Sequence, residues 1–269
     1  MAEASGRDRI AAAFEAARDE GRAALMPYLM GGFPDLETSI RVTEAYVEGG
    51  ADLVELGVPF SDPLADGPVI HAAATAALAA GATFERVLTV CEAIADRVAV
   101  VPMCYANTVF ARGPAEFAAQ LVAAGAAGAI VPDLPPEEGA EVAARLSEVG
   151  LPLVPVVAPT TRPDRRREIA SRAEGFVYLV SDTRVTGERD ELPGGLDDLI
   201  ASTKADSRVP VAVGFGIGTP GQAATVGAVA DGVIVGTRLV RAVAEAEDAD
   251  AAAGAVSAFL RDCRAALAV

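Results

Sequence analysis

Along the chain, short apolar runs rich in β-branched residues and bounded by Gly or Pro alternate with alanine-rich stretches in which apolar positions recur every three or four residues. The first pattern predicts buried parallel strands and the second predicts amphipathic helices packed over them. Eight strand-like runs are legible: Ala24–Leu29, Leu53–Leu56, Val98–Cys104, Gly128–Val131, Leu151–Val157, Phe176–Val180, Val209–Val213 and Gly232–Val235. Helical spacing follows them at Leu36–Glu48, Val69–Ala80 with Phe84–Ala95, Ala115–Ala124, Glu137–Val149, Pro163–Arg172, Leu196–Lys204, Pro220–Val226 and Arg238–Glu245. Eight βα units predict a (β/α)₈ TIM barrel of the α/β class. The competing doubly wound sheet would carry a GxGxxG after its first strand, where this chain has Met30-Gly31-Gly32-Phe33-Pro34. Ile10 and Phe14 lie in an N-terminal helix and Ala255–Leu267 in a C-terminal one, both additions expected to cover the barrel's ends.

No linker rich in Pro, Ser or Gly divides the 269 residues, so residues 1–269 are expected to form one domain. The net charge of −16, with Lys204 the only lysine, leaves no basic stripe for nucleic acid. Cys91, Cys104 and Cys263 lack paired spacing and suit buried thiols in a reducing compartment. Charged Glu3, Arg7, Asp8 and Arg9 precede any apolar stretch, so neither a signal peptide nor a membrane span is expected, and the cytoplasm is the expected location.

Candidate chemistry concentrates after the second strand, in Glu55-Leu56-Gly57-Val58-Pro59-Phe60-Ser61-Asp62-Pro63-Leu64-Ala65-Asp66-Gly67-Pro68. Active sites of such barrels form at the C-terminal ends of the strands. Glu55 is a carboxylate at such an end, and burial there raises its pKa into the range of a general acid or base. It also suits a loop cap or an arginine partner. Asp66, in a loop punctuated by Pro and Gly, fits a turn or the N-cap of the next helix as well as it fits catalysis. Two glycine turns, Gly214-Phe215-Gly216-Ile217-Gly218 and Gly236-Thr237, follow the last two strands, where backbone N–H groups and a helix N-terminus commonly hold phosphate. Phe215, Met103 and Ile130 are candidates for an apolar wall, or for ordinary core. His71, the only histidine, suits a surface or supporting role, and Arg162, Arg165, Arg166 and Arg167 suit a solvated helix face.

The fourteen residues from Glu55 to Pro68 resemble the signature of the tryptophan synthase alpha subunit family. Similar blocks follow at Pro102–Asn107, Pro132–Pro135, Val185-Thr186-Gly187 and Gly214–Ile217. The resemblance implies retro-aldol cleavage of indole-3-glycerol phosphate to indole and glyceraldehyde 3-phosphate. It implies that Glu55 protonates C3 of the indole and that Asp66 hydrogen-bonds the indole N–H. Tyr178 would stand beside the glutamate, or fill a barrel layer. Thr186 and Gly187 would join Gly216, Gly236 and Thr237 at the substrate. It further implies no cofactor in this chain, and a beta subunit carrying pyridoxal phosphate that condenses indole with serine in an α2β2 tetramer. Pro63, Asn107 and Pro135 would lie at that contact. A stand-alone lyase and a catalytically silent activator are the alternatives; a sugar-phosphate isomerase would share the phosphate turns but has no reason for the motif at Glu55.

One departure stands out: Arg184 occupies a position where the resemblance implies glycine, in a loop expected to close over substrate. Arg184→Gly is expected to change the turnover or its response to the partner, and steady-state kinetics unchanged from the parent's, both with and without a beta subunit, would refute this.

Overall fold

The computed structural model describes residues 4–181, 194–214 and 216–268. The chain runs α1 (Gly6–Asp19), β1 (Ala24–Met30), α2 (Leu36–Glu48), β2 (Leu53–Gly57), α3 (Pro68–Ala79), α4 (Phe84–Glu92), β3 (Ala99–Met103), α5 (Ala106–Arg112), α6 (Pro114–Ala123) and β4 (Ala129–Ile130). It continues α7 (Ala140–Glu148), β5 (Leu153–Val154), β6 (Val156–Val157), α8 (Pro163–Arg172), β7 (Val177–Val180), α9 (Leu196–Asp206), β8 (Val211–Gly214), α10 (Pro220–Gly227), β9 (Gly232–Val235), α11 (Thr237–Glu245) and α12 (Ala249–Leu267).

All the strand pairings are parallel, in the order β5-β4-β3-β2-β1-β9-β8-β7-β6. The two ends of that order, β5 and β6, are consecutive in the chain and separated only by Pro155. Nine segments therefore occupy eight positions, and the sheet closes on itself as the expected barrel. Pro155 has no N–H to donate, but its carbonyl accepts from Tyr178 N–H at 3.0 Å. Between α7 and α8, Leu153 and Pro155 floor a cleft of about 930 Å³ on the outer side of this junction.

Strand pleating sorts the side chains into two cores. Ala24, Met26, Leu53, Val101, Ile130, Val154, Phe176, Tyr178, Ala212 and Ile234 fill the barrel, whereas Leu25, Leu29, Val54, Leu56, Val100, Val177 and Val213 pack outward beneath the helices. Glu55, between the outward Val54 and Leu56, thus points inward. At the opposite end α1 acts as a plug: Ile10 and Phe14 join the inner core, and Phe14 lies 5.7 Å from Phe176 between ring centroids. Ser5 and Asp8 form a capping box at the start of α1, and Arg9 donates to the carbonyls of Gly125 and Val98, both at 2.8 Å. Buried Arg22 grips Asp52 through both Nη atoms (2.5 and 2.7 Å), and Arg264 of α12 reaches the same carboxylate at 3.3 Å.

Departures from expectation occur at several elements, α4 ending at Glu92 and β8 starting at Val211 among them. The residues after β3 form a helix, α5, that the spacing does not predict. Helix α7 starts at Ala140 and not at Glu137, because Pro135 directs a turn in which its carbonyl accepts from the N–H groups of Glu138 (3.0 Å) and Gly139 (2.9 Å). Helix α12 starts at Ala249, six residues before Ala255, because Asp248 accepts from Ala251 N–H at 2.8 Å and caps it there.

Phe14→Ala should leave a cavity in the barrel floor. The expected loss is about 3–5 kcal/mol of unfolding free energy, read from urea denaturation. A loss below about 1 kcal/mol would show that α1 merely lies against the barrel.

Candidate active site

Glu55 sits on β2 with Tyr28 of β1 and Val101 of β3 as its register partners. It is 1% exposed, and among the described residues neither carboxylate oxygen has a hydrogen-bond partner. Burial, and secondarily the negative charge of Asp66, pushes its pKa up to about 8. At neutral pH the group therefore holds a proton that it can give away.

Asp66 lies half-buried on the loop that follows β2. It does not cap α3, whose N-cap is Gly67 with no side-chain bond. Its Oδ1 instead accepts from Tyr105 Oη at 3.1 Å, and the same hydroxyl accepts from Ala65 N–H at 3.1 Å. Burial raises the Asp66 pKa, opposed by the Tyr105 hydrogen bond and then by His71. His71 itself is exposed on α3.

Three of the four tyrosines gather around these carboxylates, and burial followed by carboxylate charge raises the pKa of Tyr28 and Tyr178 well above the ordinary value. Glycine makes room for two of them. A Cβ at Gly57 would stand 2.2 Å from the Tyr28 hydroxyl, and one at Gly214 would stand 2.5 Å from that of Tyr178. Gly214 thus serves the tyrosine, and Gly218 spends its N–H on Gln222 Oε1 at 2.8 Å. Of that glycine triplet only Gly216, at φ +88°, is left as a turn residue for a ligand. Gly236 caps α11 without a side-chain bond, and Thr237 opens the helix, buried. The first N–H groups of such a helix have no intrahelical acceptor and favour an anion. The Tyr28 side chain runs beneath Gly236, where a Cβ would lie 3.6 Å from its own, so one residue spans the space between this helix end and Glu55.

Met103 and Ile130 are register partners across β3 and β4, level with Gly57 on β2, and both contribute to the inner core. Arg184, Thr186, Gly187 and Phe215 lie outside the described residues. Among the described residues no group of three or more His, Cys, Asp and Glu is placed to hold a metal ion. The three cysteines are buried and unpaired, with burial pushing each thiol up to about 12. The basic run on α8 is occupied: Arg162 pairs with Asp164, Arg165 with Glu137 and Glu168, and Arg166 and Arg167 with Asp206. Tyr28 and Tyr105 were not singled out from sequence. The signal for Tyr28 is its parity with inward Met26 on β1; Tyr105 gives none, since its partners are a whole βα unit away.

A proton-bearing acid in the mouth of a parallel barrel, a second carboxylate above it and a bare helix N-terminus across the mouth define an acid–base enzyme of the TIM-barrel class. Residues 14–267 match the family model described as tryptophan synthase alpha chain. The chain belongs to that family, whose members are lyases of indole-3-glycerol phosphate. It is 45% identical over 237 residues to the tryptophan synthase alpha chain of Carboxydothermus hydrogenoformans, covering 87% of this chain and 89% of that one. It is 47% identical over 240 residues to that of Prochlorococcus marinus, covering 88% and 87%. A structure of Mycobacterium tuberculosis tryptophan synthase superposes with a TM-score of 0.90 at 38% identity, covering 99% of this chain and 100% of that chain. The alpha subunit from Legionella pneumophila gives 0.85 at 37% identity, covering 96% and 98%.

The buried acid carries a linked cost in stability. Its pKa in the fold lies above the ordinary 4.5, so its contribution is intact below about pH 4.5 and is lost as pH rises through about 8. Glu55→Gln cannot ionise and escapes this loss. It is expected to be more stable than the parent by up to about 5 kcal/mol at pH 9 and nearly equal to it at pH 4.5, in urea unfolding at both pH values. A variant less stable than the parent at pH 9 would contradict the assigned burial.

Proposed function

We propose that the chain cleaves indole-3-glycerol phosphate with Glu55 as the proton donor to C3 of the indole and Asp66 as the acceptor at the ring N–H. Protonation makes C3 tetrahedral and draws electrons from the ring nitrogen, whose proton passes toward Asp66. A base then takes the proton of the side-chain hydroxyl beside C3, and the carbon–carbon bond breaks. Its electron pair returns to the ring, the nitrogen regains its proton, and indole and glyceraldehyde 3-phosphate are left. Two carboxyl groups are needed in opposite protonation states, and their surroundings differ in that sense: among the described residues Glu55 has no hydrogen-bond partner, while Asp66 has a hydroxyl donor.

The phosphate is assigned to Gly216, Gly236 and Thr237, with Thr186 and Gly187 completing the substrate site. Met103, Ile130 and Phe215 form the apolar wall for the ring. Tyr178, 4% exposed, stands beside Glu55 and excludes water from it. The chain needs no cofactor of its own. A tryptophan synthase beta subunit holding pyridoxal phosphate is the partner, in an α2β2 assembly in the cytoplasm that passes indole on to tryptophan. Support for a docking face comes from Leu64 (78% exposed) and Phe110 (52% exposed), large apolar side chains on the loop after β2 and on α5, beside Pro63 and Asn107. Residues 1–269 act as one unit. Among the described residues no single helix is long and apolar enough to cross a membrane.

The observation that carries this reading is Glu55 itself, 1% exposed at the C-terminal end of β2 and without a hydrogen-bond partner among the described residues. Indole release from indole-3-glycerol phosphate, measured with and without beta subunit, tests it. Glu55→Gln and Asp66→Asn are each expected to lower kcat by about 100- to 10,000-fold. In the parent, kcat/KM should fall as pH rises through about 8, where Glu55 ionises. Indole release by Glu55→Gln at the parent rate would favour a silent activator instead.

A further inference from the structure

Asp66 is held from outside its own loop. Tyr105, 6% exposed, is the residue that precedes α5, and its backbone there is extended. Its hydroxyl does two things at once: it donates to Asp66 Oδ1 and accepts the N–H of Ala65, both at 3.1 Å. Its ring lies 5.3 Å from that of Phe60 on the same loop, at 30° between planes. Behind it, the next residue is fixed as well, because Ala106 N–H donates to Asp133 Oδ1 at 2.8 Å. On the other side Cys104 N–H donates to the Ile130 carbonyl at 3.0 Å. The phenol thereby joins the loop after β2 to the residues after β3, and the backbone of Cys104 and Ala106 ties these in turn to β4 and the loop that follows it. A carboxylate on a loop punctuated by proline and glycine would otherwise have several directions available to it.

We propose that Tyr105 is the positioning residue of the cleavage reaction, its hydroxyl setting the direction in which Asp66 presents its carboxylate to the indole N–H. The inference rests on the reading of Asp66 as the group at that N–H. The hydroxyl also favours the ionised form of Asp66, since its hydrogen bond is the first influence opposing burial. The other titratable groups around Asp66 are Glu55 on β2, His71 on α3, Tyr28 on β1 and Tyr178 on β7, with Asp133 facing Tyr105 from the loop after β4.

Tyr105→Phe keeps the ring against Phe60 and removes only the oxygen. The expected result is a drop of roughly 10- to 100-fold in kcat for indole release, with KM for indole-3-glycerol phosphate within about twofold of the parent. The acid limb of the kcat/KM profile should move to higher pH, because Asp66 loses the donor that favours its charge. In an Asp66→Asn background the same substitution should have almost no further effect, as expected of two residues acting as one unit. A Tyr105→Phe enzyme with the parent's pH profile, or with its full effect retained in the Asp66→Asn background, overturns the proposal. An Asp66→Asn enzyme that cleaves at the parent rate removes the Asp66 reading and this inference with it, so the two failures are distinguishable.

Discussion

A parallel sheet closed into a ring must fill its own interior, and every inward position of every strand is committed to that task. In this chain the lower part of the interior is filled by apolar side chains and sealed by Phe14 and Ile10 from α1. The upper part is given to Glu55 and the tyrosines Tyr28 and Tyr178. The arrangement works only because the wall is closed: a carboxyl without partners would draw in water through any gap, and its pKa would fall back toward the ordinary value. The acidity of one side chain is in this sense a property of the whole ring.

Much of this architecture is legible from local patterns. The motif puts Glu55 at the C-terminal end of β2 before any coordinates are known, while its inward direction comes from the fold; the strand runs and the N-terminal plug fall where the pattern puts them, except that Leu151–Val157 is broken at Pro155 into β5 and β6. What escapes is consistently non-local. Helix α5 has no side-chain cap of its own; its first N–H is held by Asp133, 27 residues further on. Asp66 reads locally as the cap of α3, whereas its hydrogen-bond donor, Tyr105, is 39 residues away. Glycines show the same division. Gly57 and Gly214 look like turn punctuation in the sequence, and in the fold they are cut back to make room for tyrosine hydroxyls contributed by neighbouring strands.

The site is also where stability and chemistry pull in opposite directions. Elsewhere, charged groups are matched: Arg22 with Asp52, Arg165 with Glu137 and Glu168, Lys204 with Asp231. Glu55, the one buried carboxylate among the described residues, is left there without a counter-charge or a donor. Its neighbour Asp66 is half-buried and carries one hydroxyl donor. Such a difference in environment lets two chemically similar groups take different protonation states at one pH.

Pro155 gives the ring a direction. The backbone ladder is interrupted where β5 passes into β6, and the outer wall there is the cleft between α7 and α8. β1, the seven-residue strand, lies at the middle of the strand order and so diametrically across from that interruption, flanked by β2 and β9. Glu55 on β2 and the helix end at Gly236 after β9 are therefore mounted on the arc of the barrel opposite Pro155. A ligand reaching from Glu55 to Gly236 would span β2, β1 and β9 alone, and would never cross the junction at Pro155.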